Sequence, residues 1–151
     1  MNLKELSVIS LTMLMLSFMG ILMCVSLLFG EDSEGSGTSG ISPGGNSVSE
    51  EVLKHRSMVE KYAKESDILD YVPILLAIIQ VESGGTMEDV MQSSESAGLP
   101  PNSLSTEASI KQGCIYFASL VKSSKELGCD QDSIIQAYNY GGGYLNYVAK
   151  N

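Results

Sequence analysis

The chain has 151 residues and a formal net charge of −9, from 18 acidic against 9 basic side chains. That length allows one modest domain with an accessory segment, and the lack of any Lys/Arg cluster excludes nucleic acid as a partner, because phosphate binding needs concentrated cations. An acidic domain of this kind reaches its ligand through a shaped cleft, since charge will not draw it to an anionic surface.

The first element in chain order is an apolar run at residues 6–30, 25 residues without a charge. About 20 apolar residues suffice to span a bilayer. The run is longer than the roughly 7–15-residue core of a cleaved signal and lacks an evident small-residue cleavage site. The expectation is an uncleaved, single-pass membrane anchor over residues 1–30, with signal cleavage and secretion as the alternative. Lys4 precedes the run, whereas Glu31, Asp32 and Glu34 follow it. That asymmetry puts the rest of the chain on the extracytoplasmic side of the cell membrane. Residues 31–48, rich in Gly, Ser and acid, read as a flexible linker whose reach is roughly 20–25 Å.

Residues 49–151 read as an all-α domain. Ser47 with Glu50 fits a capping box for a first helix running to about Ser66, with Val52, Val59, Tyr62 and Ala63 on one face. Pro73 suits the first turn of a second helix over residues 72–83, and Gly84-Gly85 stops it. Residues 84–105, with Gly98, Pro100-Pro101 and many serines, read as a long loop with one helical turn. A third helix is expected over residues 106–127, capped by Gly128, with Ile110, Cys114, Phe117, Ala118 and Val121 as its apolar stripe. A short fourth, over residues 131–138, leads into Asn139-Tyr140-Gly141-Gly142-Gly143-Tyr144. On a straight third helix Cys114 and Cys129 lie about 20 Å apart, against the roughly 7 Å a disulfide allows, so no bridge is expected. A single histidine and no ligand spacing point to no metal site.

The chemistry concentrates where the second helix stops. Leu75, Ile78 and Ile79 precede Glu82 on one helix face. Desolvation there, and the negative end of the helix dipole, both disfavour the carboxylate and raise its pKa. A glycosidic oxygen leaves only once protonated, so an acid held neutral near pH 7 suits glycoside cleavage. Asp89 on the following loop supplies a second carboxylate, to activate water or to stabilise a cationic sugar. Glu88 and Glu95 are rival acids on the same loop. The plainer alternative is a surface glutamate at a helix end and acids that only solvate a mobile segment. Tyr138 offers a sugar ring an apolar face and a hydroxyl, or it is a core tyrosine beside Ile134 and Ile135.

Three blocks then occur in order: Glu82-Ser83-Gly84-Gly85, Asp89-Val90-Met91-Gln92-Ser93-Ser94-Glu95-Ser96 and Ala137-Tyr138-Asn139-Tyr140-Gly141. Together they resemble the CwlT-like lysozyme domain, a cell-wall muramidase related to goose-type lysozymes and soluble lytic transglycosylases. The resemblance covers about two thirds of the chain. It implies a lysozyme-like helical fold and peptidoglycan as substrate, cut between N-acetylmuramic acid and N-acetylglucosamine without a cofactor. Glu82 matches the proton donor and Asp89 the second acid of the muramidase branch. Ser83, Gln92, Tyr138 and Asn139 are implied to meet the glycan strand, Gln92 at an N-acetyl sugar and the Tyr-Asn pair beside Glu82.

The family often serves conjugative DNA transfer, which makes conjugation or secretion machinery the implied partner. Its members usually continue past the tyrosine block, many into a cysteine-type peptidase. The chain ends at Asn151, so the expectation is a domain lacking that peptidase and shortened at its closing helices. Two other readings stay open: a lytic transglycosylase using Glu82 alone, and a non-catalytic glycan-binding scaffold of a wall-spanning channel.

Overall fold

A computed structural model describes residues 48–151. The expected anchor at residues 1–30 and nearly all of the linker lie outside the described residues. Among the described residues no helix is long and apolar enough to cross a membrane. All regular structure there is helical: α1 (Glu50–Leu53), α2 (Arg56–Glu65), α3 (Val72–Glu82), α4 (Thr106–Leu127), α5 (Gln131–Tyr140) and α6 (Gly143–Val148), with short 3-10 turns at Leu69–Tyr71 and Glu95–Ala97.

α3 is the axis of the domain. Val72 and every residue from Ile74 to Ile79 are buried, and a helix apolar on all sides must sit inside the fold. Each Val, Leu or Ile among them contributes roughly 1.5–3 kcal/mol on leaving water. α2 covers α3 with Val59, Tyr62 and Ala63, and α4 packs on α2 and α5 through Ile110, Cys114, Phe117, Leu120 and Val121. Pro73 in the first turn and Gly128 in the left-handed cap of α4 stand where their chemistry placed them. Cys114 and Cys129 are both free thiols.

The single helix expected before Ser66 is two helices, and its cap is Ser49 instead of Ser47. The Ser49 hydroxyl accepts from the Val52 amide at 3.4 Å, and the Ser49 amide donates to Gln80 Oε1 at 2.7 Å. That second bond ties the helix start to α3. The break at Lys54-His55 lets α1 fold over the end of α3, where His55 Nε2 donates to the Gly85 carbonyl at 2.9 Å.

Gly85 makes this overlay possible. It has φ +79°, and a Cβ there would come within 2.8 Å of the Glu51 carbonyl carbon and the Val52 nitrogen. Gly85→Ala therefore combines left-handed strain with a backbone clash and should cost about 2–4 kcal/mol. Urea unfolding measures it, and an unchanged midpoint would contradict the packing of α1 against Gly85.

At the other end, α5 runs two residues beyond its expected stop and is followed by α6. Three glycines in a row read as a loop, but Leu145 is fully buried and its packing carries the turn of helix that contains it.

Candidate active site

Glu82 is the last residue of α3, and it lines a cleft of about 460 Å³ between the end of α3, the loop that follows it, α4 and the end of α5. That size is within the roughly 300–1,000 Å³ usual for ligand sites. Burial first, and then the negative charge of Asp89, push the Glu82 carboxyl from 4.5 up to about 7. Of the other residues expected at the site, Gln92, Tyr138 and Asn139 also line the cleft, whereas Ser83 and Asp89 are not on its wall.

The Ser83 hydroxyl is spent inside the protein. It donates to the Val90 carbonyl at 2.8 Å and accepts from the Gly85 amide at 3.1 Å, closing the loop base behind Glu82.

Asp89 is 1% exposed. Its Oδ1 accepts from the Ser93 amide at 3.0 Å and from Ser109 Oγ at 2.6 Å. Its Oδ2 accepts from the Ser94 amide at 3.2 Å and from the Ser94 hydroxyl. Burial alone would raise this carboxyl, yet the hydrogen bonds from Ser109, Ser94 and Ser93 outweigh it and hold the group below its ordinary value. Ser94 Oγ in turn accepts from the Ser103 and Leu104 amides. One carboxylate thus pins both halves of the loop, and through Ser109 it fastens them to α4.

The loop so fixed presents Gln92 in a left-handed conformation, φ +47°, which a non-glycine residue adopts only where its surroundings enforce it. Its side-chain amide donates to the Asp89 carbonyl at 2.9 Å and to Asn102 Oδ1 at 2.8 Å, leaving its own carbonyl oxygen as the acceptor on offer. Met91 beside it is fully buried and packs where Gly113 leaves α4 without a side chain; a Cβ there would lie 2.5 Å from the Met91 sulfur.

Tyr138 joins the opposite wall to this loop by donating to the Met91 carbonyl at 3.0 Å, and its ring meets Tyr116 at 5.4 Å and Phe117 at 6.2 Å. Burial, followed by the charge of Glu82, lifts its hydroxyl well above the ordinary tyrosine value. Asn139 Nδ2 is a buried donor without a hydrogen-bond partner among the described residues, an exception that calls for an explanation.

Glu95, one of the rival acids, is on the cleft wall, as are Tyr116, Tyr140 and Ser96; Glu88 is exposed and elsewhere. Sequence reasoning passed over Tyr116 because it precedes Phe117 on a helix whose buried stripe drew the reading. Among the described residues no group of three His, Cys, Asp or Glu could hold a metal ion.

A desolvated carboxylic acid beside amides and tyrosines, with no cation on the wall, is equipped to give a proton to a neutral, hydroxyl-rich ligand. The chain as a whole is similar to known proteins. The lysozyme-like family profile matches residues 49–151, and the chain belongs to that family.

Its relatives include the bifunctional muramidase/DL-endopeptidase CwlT of Bacillus subtilis (strain 168), 42% identical over 128 residues, or 81% of this chain and 36% of that protein. The pneumococcal vaccine antigen A homolog of Streptococcus pyogenes is 40% identical over 66% of this chain and 51% of its own length. Among solved structures, a protein similar to a lipoprotein of the NLP/P60 family from Staphylococcus aureus subsp. aureus Mu50 superposes with a TM-score of 0.68 and 67% identity, over 69% of this chain and 35% of that one. The chain therefore spans about a third to a half of the length of the proteins it matches.

Proposed function

We propose that the domain is a peptidoglycan hydrolase of the muramidase type, in which Glu82 protonates the oxygen between N-acetylmuramic acid and N-acetylglucosamine. The observation that carries this reading is the Glu82 carboxyl itself, desolvated at the end of an apolar helix, open to a cleft and raised to about 7. An acid with that pKa still holds its proton in about half of the molecules at neutral pH and can pass it on in the transition state. The Gln92 carbonyl, whose amide is engaged by Asp89 and Asn102, would take the acetamido N–H of a sugar in the cleft.

Asp89 we assign to positioning. Its oxygens are occupied by the loop and by Ser109 of α4, and it acts on the reaction by holding Gln92 in place and by keeping the proton on Glu82 through its charge. The remaining carboxyl on the cleft wall, Glu95, is exposed and free to approach water. That occupation of Asp89 favours one second reading: a lytic transglycosylase, in which Glu82 alone serves as acid and then base. The expected extracytoplasmic tether and a role in local wall opening, such as conjugation requires, rest on the resemblance and on the apolar N-terminal run.

Digestion of purified peptidoglycan followed by mass spectrometry tests the reaction. Muramidase action leaves reducing ends, 1,6-anhydro ends mean transglycosylation, and the absence of any fragment leaves the scaffold reading. The rate should fall as pH rises through about 7, because the proton donor is lost there; a rate still rising above pH 8 would contradict Glu82 as the acid.

A further inference from the structure

Glu95 opens the 3-10 turn Glu95–Ala97 in the loop after α3. Among the described residues the cleft wall carries two carboxyls, Glu82 and Glu95, and no histidine, lysine or cysteine. Hydrolysis needs a group that takes a proton from water while Glu82 gives one up. The neighbouring alternatives are committed elsewhere. Asp89 is buried behind the wall, with its oxygens accepting from Ser93, Ser94 and Ser109. The hydroxyls of Tyr138 and Tyr116 donate to the Met91 and Ala137 carbonyls, and burial raises both above the ordinary tyrosine value. The single histidine, His55, is bound to the Gly85 carbonyl.

Glu95 is exposed, and among the described residues its carboxylate has no hydrogen-bond or ion-pair partner. Its backbone, by contrast, is held on both sides. Ser94, before it, gives its amide to Asp89 at 3.2 Å and accepts at its hydroxyl from the Ser103 and Leu104 amides at 3.0 and 3.2 Å. Ser96, after it, donates to the Ser93 carbonyl at 2.6 Å and accepts from Gln112 Nε2 of α4 at 3.1 Å. The Glu95 carbonyl itself accepts from the Gly98 amide at 2.9 Å. A carboxylate fixed at its root and open at its tip meets the requirement for a positioned base.

We propose that Glu95, and not Asp89, is the base that activates water in this cleft, and that Asp89 serves it by fixing the turn on which it stands. This rests on the reading of the cleft as a muramidase site. As the water oxygen bonds to C1 of the N-acetylmuramic acid, one of its protons passes to the Glu95 carboxylate. The electron pair of the breaking C1–O bond stays with the departing oxygen, which takes the Glu82 proton. One water is consumed, and the products are a reducing end and a free sugar hydroxyl. Glu95 then loses a proton to solvent and Glu82 regains one. An acid and base of this kind stand roughly 6.5–9.5 Å apart, which leaves room for the water.

The test compares the full chain in detergent with its Glu95→Gln, Glu95→Ala and Glu88→Gln variants on purified peptidoglycan, with products identified by mass spectrometry. Glu88 is an exposed acid on the same loop and off the cleft wall. Glu95→Gln should lower kcat about a hundredfold or more, with KM and unfolding temperature close to those of wild type. Glu88→Gln should cleave at the wild-type rate. Sodium azide, a nucleophile that needs no base, should restore fragment release by Glu95→Ala and leave azide on the new ends.

Reducing ends released at like rates by wild type and Glu95→Gln would overturn the assignment of Glu95 alone. So would a loss seen only in KM, or a loss in both Glu95 variants that azide does not restore, either of which would make Glu95 a strand-binding group. An equal loss in Glu88→Gln would also overturn it and reduce the effect to loop charge. Release of 1,6-anhydro ends, or of no fragments, by wild type would overturn the muramidase reading and the assignment with it.

Discussion

An Asp89→Ala chain should lose about 3–5 kcal/mol of stability, because four buried or half-buried donors lose their shared charged acceptor at once. The amides of Ser93 and Ser94 and the hydroxyls of Ser94 and Ser109 all point at this carboxylate. Asp89→Asn keeps one acceptor oxygen but turns an amide donor toward other donors, so it should lose roughly half as much.

The sign of the pH dependence follows from the direction of the shift. The folded pKa lies below the ordinary carboxyl value of 3.8, so the stabilisation is present above that value and disappears as acid protonates the folded group. Wild type should therefore weaken steeply below about pH 4, and Asp89→Ala should lack that acid limb. Urea unfolding at pH 3 and pH 7 measures both, and parallel curves for the two chains would contradict the bonding described here. A corollary concerns activity: an Asp89→Asn loss does not separate hydrolysis from transglycosylation, because the loop carrying Gln92 loosens in either case.

Glu82→Gln should act in the opposite sense on stability while abolishing wall cleavage. The Glu82 pKa is raised, from 4.5 to about 7, so its contribution is fully present below pH 4.5 and is lost as pH climbs through 7. At pH 8 the protein holds a half-buried charge it would rather lack, a cost on the order of 2 kcal/mol once solvent screening is allowed for. Glutamine has the same shape and no charge. The variant should therefore unfold at a higher temperature than wild type at pH 8 and at the same temperature at pH 4. Such a stability gain on removing a functional group is expected where a site holds a charge in an unfavourable place. Equal unfolding temperatures at both pH values would mean that Glu82 is an ordinary surface carboxylate.

What could be read from the sequence, and what could not, follows from the range of the interactions. The position of Glu82 was legible because its causes are local: an oily run, a helix end and two glycines within a few residues. The same is true of the start of α3 at Pro73 and of the Gly128 cap. Asp89 was visible as a spacing, but its burial depends on Ser109, 20 residues further on and on another helix. No local pattern announces that a serine on α4 will take up a loop carboxylate. Ser47 has the capping-box partner Glu50, yet the cap is Ser49, which a bond to Gln80 on α3 holds in place. α6 begins inside a run of glycines and exists because Leu145 is buried beneath it, a tertiary effect that outweighs propensity. Tyr116 reaches the cleft from a helix whose pattern advertises only its core face.

On the function proposed, Glu82 gives up its proton in this cleft and the glycan of peptidoglycan is cut. The most direct test is the release of soluble fragments from purified cell walls at pH 6 by the wild-type chain and by Glu82→Gln, with thermal unfolding recorded on the same samples. Wild type should release fragments steadily and the variant should lose at least about a hundredfold, the lower end of what a positioned acid supplies, while it remains folded. Release by a folded Glu82→Gln chain at a rate near that of wild type would contradict that role of Glu82.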